Sequence, residues 1–449
     1  MYNIYGVTDF VSIIANKKYK LFNLLQYNCN KQKKGEIMFN LEEIKEKLKK
    51  YGQEHLLLSY ERLDEDGKEK LLNQIENIDF EECKRLFDLT KKKKEFENVK
   101  LEPLKVQDAT RLSVEELKNI TFKGEKLIKQ GKYAVVMMAG GQGTRLGHTG
   151  PKGTFDFGLD SHKTIFEVLT DKFKEARDIL GVTIPWYIMT SRDNNKDTIS
   201  FFEKNNYFGY KDGIKSFFVQ KELPMMDESG KLIIGEDGLV KEAANGHGGV
   251  YQALVDSGAL AQMEKDGIEW IFICGVDNVL VKLVDPVLLG YSDLNNYKIT
   301  SVSCIKNYPQ EKVGVLCKKN GRPSVVEYTE MPDELKEEIN EDGELKYGEG
   351  HVLMNLFNIS VIADIAKNNL EYHVAHKKCD YMNEAGEMVK ATEPNAYKFE
   401  SFLFDAFERL DEIGVLRYHR EECFAPIKNA EGNDSPETAR ELYKAYYNL

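Results

Sequence analysis

Between Tyr133 and Gly153 the chain carries groups that could hold a polyphosphate. An apolar run, Tyr133 to Met138, stops at Ala139-Gly140-Gly141-Gln142-Gly143, and Arg145 and Lys152 follow. The run reads as a buried parallel strand. Gly140, Gly141 and Gly143 free the next turn of side chains, so backbone N–H groups can face a ligand at close range. Arg145 and Lys152, the latter pinned between Pro151 and Gly153, add fixed positive charge. Such a turn also serves as a plain strand-to-loop connection; the two cations behind it favour nucleotide binding and transfer. The dinucleotide fingerprint G-x-G-x-x-G fails, because counting from Gly141 its last place is Leu146. The Walker loop fails as well, because Lys152 is followed by Gly153 rather than Ser or Thr.

A second group lies further along. Trp270 to Cys274 is apolar, and Asp277 follows it, at the strand end where ligands of open α/β sheets bind. One carboxylate near phosphates suits Mg²⁺, which keeps several waters and takes further ligands from substrate. An isolated Asp-Asn pair such as Asp277-Asn278 also serves as a turn cap. Gln220 ends the run Phe217-Phe218-Val219, and Gly246 and His247 lie in Asn245-Gly246-His247-Gly248-Gly249.

The stretch 135–159 resembles the signature of the UDP-sugar pyrophosphorylases, uridylyltransferases that join UTP to a sugar 1-phosphate. Further matches occur in order: Gly-Gln-Glu-His-Leu-Leu at 52–57, Pro-Trp-Tyr-Ile-Met-Thr-Ser at 185–191, Val-Asp-Asn-Val-Leu-Val-Lys at 276–282, Val-Val-Glu-Tyr at 325–328 and Pro-Ile-Lys-Asn-Ala at 426–430. The resemblance is strongest to the N-acetylglucosamine type and runs from about Gly52 to Arg440. It implies a Rossmann-like nucleotidyltransferase fold, glycosyltransferase-A-like, with a mixed sheet and helices on both faces. It also implies that UTP and N-acetylglucosamine 1-phosphate give UDP-N-acetylglucosamine and pyrophosphate, with Mg²⁺. Glucose 1-phosphate or a range of hexose phosphates is the alternative substrate. A UDP-sugar sensor without turnover is the alternative of another class, and it would not need Arg145, Lys152, Asp277 and Lys428 together.

By resemblance, Lys152 stabilises the α-phosphate, Arg145 grips the β- and γ-phosphates, and Lys428 reaches the phosphates from the C-terminal region. Ala139, Gly140, Gly141, Gly143, Gln220, Gly246 and His247 would hold the nucleotide, with Gln220 on uracil and Gly246 admitting the base or ribose. Asp277 would bind the metal. Gly314, Glu327, Asn355 and Phe402 would border the sugar. His247 departs from the pattern: the N-acetylglucosamine type carries Gly-Asn-Gly-Gly here, and glucose-type relatives carry Gly-His-Gly.

The elements that must position these groups are legible in the periodicity. Strands are predicted at 133–138, 184–190, 214–219, 268–275 and 298–305, and helices at 164–179, 197–206, 250–266 and 286–294. This alternation implies a parallel α/β sheet with helices on both faces. Residues 313–330, with Gly321 between two β-rich runs, read as a hairpin. Leu41, Ile44 and Leu48, and Leu71, Leu72, Ile75 and Ile78, recur at helical spacing. Ser435-Pro436-Glu437 opens a last helix through Tyr443. Lys91 to Lys94 reads as a solvated charge run. The predicted organisation is a leader at 1–37, a helical region at 38–130, a catalytic domain at 131–400 and a C-terminal domain at 401–449 that closes over the site.

Of 449 residues, 42% are hydrophobic and 30% charged, as in globular proteins of more than one domain. A net charge of −12 argues against nucleic acid as partner, so an anionic substrate must meet a local basic patch. Seven scattered cysteines without a C-x-x-C pair fit reduced thiols in a cytoplasmic protein; Cys274, Cys304 and Cys317 read as core residues. No apolar stretch approaches the ~20 residues that span a membrane. Residues 1–37 lack a signal-peptide layout, and Lys33-Lys34-Gly35-Glu36 could be encoded by a purine-rich run resembling a ribosome-binding site. Translation is therefore expected to start at Met38. Intact mass spectrometry of the native protein tests this, and a mass that includes Met1 refutes it.

Overall fold

The structure, a computed structural model, describes residues 40–91, 99–368 and 370–449. The leader with its expected start at Met38, Cys29, and the charge run beyond Lys91 lie outside the described residues. The chain divides into two compact units. The first takes in described residues up to Leu89 with Pro224–Glu242 and His376–Tyr397; the second comprises Thr90–Leu223, Ala243–Ala375 and Lys398–Leu449. The expected boundaries at 130 and 400 both fall inside the second unit.

In the first unit, helices α1 (Leu41–Lys50), α2 (Leu56–Arg62), α3 (Glu65–Asn77) and α4 (Phe80–Thr90) follow in succession. Asn40 and Asp64 cap α1 and α3 by accepting from the N–H groups of Glu42 and Gly67. The periodic residues Ile44, Leu48, Leu71, Leu72 and Ile75 are buried, as their spacing requires. Gly-Gln-Glu-His-Leu-Leu has a structural task here. Gln53 accepts from Leu232 N–H at 2.9 Å and donates to Gly230 C=O at 2.9 Å, while His55 Nε2 meets Leu232 C=O at 2.8 Å. The motif thereby satisfies the backbone of the 224–242 arm.

The second unit is built on one sheet. Its strands are β1 (Leu101–Pro103), β2 (Gln107–Asp108), β3 (Tyr133–Met138), β4 (Trp186–Thr190), β5 (Ile214–Val219), β6 (Trp270–Gly275), β7 (Ile299–Ile305), β8 (Val315–Lys319), β9 (Arg322–Val326), β10 (Glu349–Asn358) and β11 (Gly414–Arg417). The main order is β2-β11-β7-β10-β6-β3-β4-β5, with β1, β8 and β9 joined beside β10. Strands β5, β4, β3 and β6 are parallel, as are β7, β11 and β2, while β10 runs against both β6 and β7. Within the main order one reversed strand, β10, therefore makes mixed a sheet that strand–helix alternation alone would make parallel. Residues 401–449 belong to this body, since β11 pairs with β7.

Helices α5 (Val114–Lys129), α6 (Ile165–Leu180), α7 (Asn195–Lys204) and α10 (Pro286–Leu294) share one core with Tyr133, Val135 and Met137 of β3. Helices α8 (Val250–Asp256), α9 (Ala259–Lys265) and α11 (Ile359–Lys367) share the other with Ala134, Val136 and Met138. Alternate residues of one strand thus point to opposite faces, and both faces are covered. The helix expected at 250–266 is two, because Gly258 turns left-handed at φ +76° between them. Strands β8 and β9 form the expected hairpin, with Asn320 and Gly321 both at positive φ. The last helix, α12 (Pro436–Tyr447), starts at the Ser435 cap and runs four residues past the expected end. Cys274, Cys304 and Cys317 are buried. Among the described residues no helix is long and apolar enough to cross a membrane.

Helices α5 and α10 approach closely through glycines. A Cβ at Gly124 would lie 1.9 Å from Pro286 O, and one at Gly290 1.9 Å from Ile120 O. Alanine is the better helix former by about 1 kcal/mol, so an open site would gain from Gly124→Ala. Here overpacking dominates, and the variant is expected to lose about 1–3 kcal/mol in a denaturant titration. A stability gain would show that the helices separate without strain.

Candidate active site

The turn after β3 is held by its neighbours in the sheet. Ala139 N–H donates to Met189 C=O at 2.7 Å, and Asn194 Nδ2 donates to Ala139 C=O at 2.9 Å. Asn194 is fully buried and was not singled out in the sequence; it sits just past the 185–191 match. The turn then folds back on itself: Gly143 N–H donates to Gly150 C=O and Lys152 N–H to Gly141 C=O, both at 3.0 Å. That pairing leaves the N–H groups of Gly140, Gly141 and Gln142 without a backbone partner among the described residues. The glycines differ in role. Gly141 faces open space, whereas Gly143 is buried, with its Cβ position 2.7 Å from His148.

Arg145 stands exposed on the next turn, and Lys152 points back toward the end of β6. Lys152 Nζ lies 3.8 Å from Asp277 Oδ2. Burial pulls the Lys152 pKa below its ordinary value, and the charges of Lys428 and Arg145 push it the same way, against Asp277 and Asp434. Three cations therefore share one electrostatic neighbourhood with the carboxylates of Asp277 and Asp434 at the carboxyl edge of the sheet.

Lys428 reaches that neighbourhood through a short antiparallel joint. Val279 N–H donates to Ala425 C=O at 3.2 Å and Ile427 N–H to Asp277 C=O at 2.9 Å. Asn278 completes the joint: its Nδ2 donates to Cys423 C=O at 2.7 Å and its Oδ1 accepts from Ala425 N–H at 2.9 Å. The Asp-Asn pair thus divides its work. Asn278 ties the C-terminal segment down, and Asp277 turns its carboxylate to the cations.

Gln220, expected at the base, is buried, and its Nε2 donates to Asn245 Oδ1 at 3.0 Å and to Gly246 C=O. Both Nε2 hydrogens are taken, which directs Oε1 toward Gly140, 3.4 Å from that residue's Cβ position. An acceptor there fits an N–H at the edge of a base. At Gly246 the Cβ direction is filled by the backbone of Ser401 at 2.3 Å. Glycine is required there for chain packing, and its carbonyl serves Gln220.

Glu327 and Phe402 line a cavity of about 450 Å³ with His373, Phe404 and Asp405. Gly314 lies against Glu327, its Cβ position 3.4 Å from Oε1. Burial raises the Glu327 pKa, the nearby Glu330 and Asp405 add to this, and His373 and Lys428 oppose it. Asp405 accepts from Phe402 N–H at 2.8 Å and meets His373 Nε2 at 3.0 Å, while the His373 ring stacks on Phe402 at 4.5 Å. Asn355 stands apart from the cavity wall, fully buried on β10 with its Nδ2 unpartnered and its Oδ1 3.1 Å from His351 Nε2. His351 packs edge-on to Phe404 and was not anticipated. A bulge shifts the β7–β10 register between Ser301 and Ser303, and Leu353 within it has φ +54°. The bulge re-aims His351 and Asn355 beside the end of β6.

His247, expected with the nucleotide residues, packs on two aromatics of the cavity wall, 5.3 Å from Phe402 and 5.6 Å from Phe404. Its Nδ1 accepts from Leu403 N–H at 3.0 Å, so the neutral ring carries its proton on Nε2.

A glycine turn whose N–H groups lack backbone partners among the described residues, with three cations and the Asp277 carboxylate at the edge of such a sheet, is what an α/β nucleotide-phosphate protein requires. A family model described as UTP–glucose-1-phosphate uridylyltransferase matches residues 79–434, and the chain belongs to this family of nucleotidyltransferases. It is 34% identical over 430 residues to the human UDP-N-acetylhexosamine pyrophosphorylase-like protein 1, covering 90% of this chain and 84% of the relative. It is 34% identical over 416 residues to the UDP-N-acetylglucosamine pyrophosphorylase of Saccharomyces cerevisiae, covering 87% of each. Among solved structures, the UDP-N-acetylglucosamine pyrophosphorylase of Trypanosoma brucei in complex with inhibitor superposes with a TM-score of 0.74 at 29% identity, over 89% of this chain and 83% of that one.

Burial lowers the pKa of His247 to about 4 and of His351 to about 3. An unfolded histidine titrates near ~6.5. Between those values the unfolded chain binds more protons than the folded one, so stability falls as pH drops through this window. His247→Asn removes one such group and is expected to make the decline shallower in urea titrations at about pH 7 and about pH 5. Equal declines in both proteins would show that His247 charges without penalty.

Proposed function

We propose that the chain is a Mg²⁺-dependent uridylyltransferase that joins UTP and N-acetylglucosamine 1-phosphate to UDP-N-acetylglucosamine and pyrophosphate. The observation that carries this reading is the gathering of Arg145, Lys152, Lys428 and Asp277 beside the Gly140–Gly141 turn. A sugar phosphate oxygen attacks the α-phosphorus of UTP, and pyrophosphate leaves from the opposite side. Such a transfer leaves little covalent work to the protein, so positioning and charge neutralisation dominate. Lys152 neutralises the α-phosphate and Arg145 holds the β- and γ-phosphates in a forked contact. Lys428 meets them from the other rim. The N–H groups of Gly140, Gly141 and Gln142 add donors, and Gln220 Oε1 accepts from uracil. Glu327 and Phe402, with Gly314 behind Glu327, receive the sugar, and a carboxylate there accepts two hydroxyl hydrogens.

Among the described residues no three His, Cys, Asp or Glu side chains form a metal cage. A lone carboxylate at Asp277 fits Mg²⁺, which binds through one or two carboxylates and substrate phosphates. Bound there, the ion supplies charge neutralisation to the phosphates. The names of the relatives support the hexosamine as substrate. His247 favours a second reading, the same reaction on glucose 1-phosphate or a wider set of hexose phosphates, because it stands where N-acetylglucosamine enzymes carry asparagine. A cytoplasmic setting is part of the proposal and is supported by six free buried cysteines among the described residues.

Pyrophosphate release from UTP and a panel of sugar 1-phosphates is the deciding assay. N-acetylglucosamine 1-phosphate is expected to rank first; glucose 1-phosphate in first place gives the second reading, and no release with any sugar refutes both. Lys152→Ala is expected to lower turnover by on the order of 10²–10³ with the fold retained, since one stabiliser of the reacting phosphate is lost. Near-normal turnover would remove Lys152 from the mechanism.

A further inference from the structure

Lys428, which the proposed reaction brings to the phosphates, has an acidic partner of its own. Its Nζ lies 3.6 Å from Asp434 Oδ2. The loop between them fixes the backbone that carries this carboxylate. Asp434 C=O accepts from Lys428 N–H at 2.6 Å and Asn429 N–H at 3.1 Å, and Asn429 Nδ2 donates to Asn433 C=O at 2.8 Å. Asn433 is in turn held by the Tyr308 hydroxyl at 3.2 Å, and Ser435 begins α12. Asp434 itself has φ +57°, a left-handed conformation that asparagine and aspartate tolerate better than other side chains. Its charge also reaches Lys152, where it favours the protonated amine.

We propose that Asp434 is a positioning residue: its carboxylate holds Lys428 at the rim of the site and competes with nucleotide phosphate for that amine. This rests on the phosphate-binding role of Lys428 given above. Turnover requires a highly charged pyrophosphate to leave a pocket with three cations. Binding that is equally strong in ground and transition states does not speed the chemical step. A built-in counter-charge on this partly exposed cation weakens the ground-state grip and gives Lys428 a partner to return to when the phosphate departs.

Magnesium–UTP is the probe, titrated calorimetrically into the full-length chain. Asp434→Asn keeps the backbone carbonyl and the left-handed preference but removes the charge. Because Lys428 is 38% exposed, the expected tightening is modest, roughly two- to fivefold in Kd. Asp434→Gly, suited to the same φ, should tighten binding similarly, which excludes an effect particular to the asparagine side chain. In the Lys428→Ala background, Asp434→Asn should change Kd little, because the cycle isolates the coupling of the two residues. Weaker or unchanged binding in Asp434→Asn would show that the aspartate only supports the loop. Tightening of equal size without Lys428 would show that it acts as bulk charge, and either result overturns the proposal. Failure of the unmodified chain to bind magnesium–UTP would instead bring down the proposed function, and this inference with it.

Discussion

Three cations brought together at one rim of the sheet repel one another, and the second unit is organised to keep them there. Arg145 and Lys152 come from the turn after β3, whereas Lys428 lies more than two hundred residues away in the chain. What unites them is the short antiparallel joint between 277–279 and 425–427, completed by both polar ends of the Asn278 amide. Backbone bonds of this kind fix position without charge. Asp277 and Asp434 then offset part of the repulsion from two sides. The remainder is a standing preference for an anion, and it is local: the chain as a whole carries a net charge of −12.

The rest of the site is arranged around that pocket by the sheet. Parallel strands β3, β4, β5 and β6 end on the same edge, which brings the glycine turn, Gln220 and Asp277 to one rim. The reversed strand β10 enters the same edge from the opposite direction, and its bulge carries His351 and Asn355 beside the end of β6. The cavity wall follows from there: Phe404 rests on His351, and Phe402 stacks with His247 and His373. Histidine 247 links the two halves, anchored to the backbone of Leu403 and electrostatically within reach of Asp277.

Several short matches to the family turn out to hold the chain together as well as to serve chemistry. Gln53 and His55 satisfy the backbone of the 224–242 arm within the first unit. Gly246 makes room for Ser401. Asn278 ties down the segment that carries Lys428. In each case the residue type is demanded by a hydrogen bond or a close backbone approach far along the chain. Resemblance alone therefore does not distinguish a ligand contact from a packing requirement.

Local features were legible in the amino-acid order. The spans of β3, β5 and α10, the Asn320-Gly321 hairpin and the Ser435 cap depend on side-chain period and turn chemistry, which neighbours in sequence decide. The same holds for the nearness of the glycine N–H donors to Arg145 and Lys152, which lie within about a dozen residues of one another. Tertiary structure decided the direction of β10, the joining of 425–427 to 277–279 that brings Lys428 to Lys152, and the packing of Gly246 on Ser401. Those outcomes depend on which distant backbone or charge comes to rest beside a residue. Loop closure over hundreds of residues brings those groups together, and hydrophobic period carries no record of it.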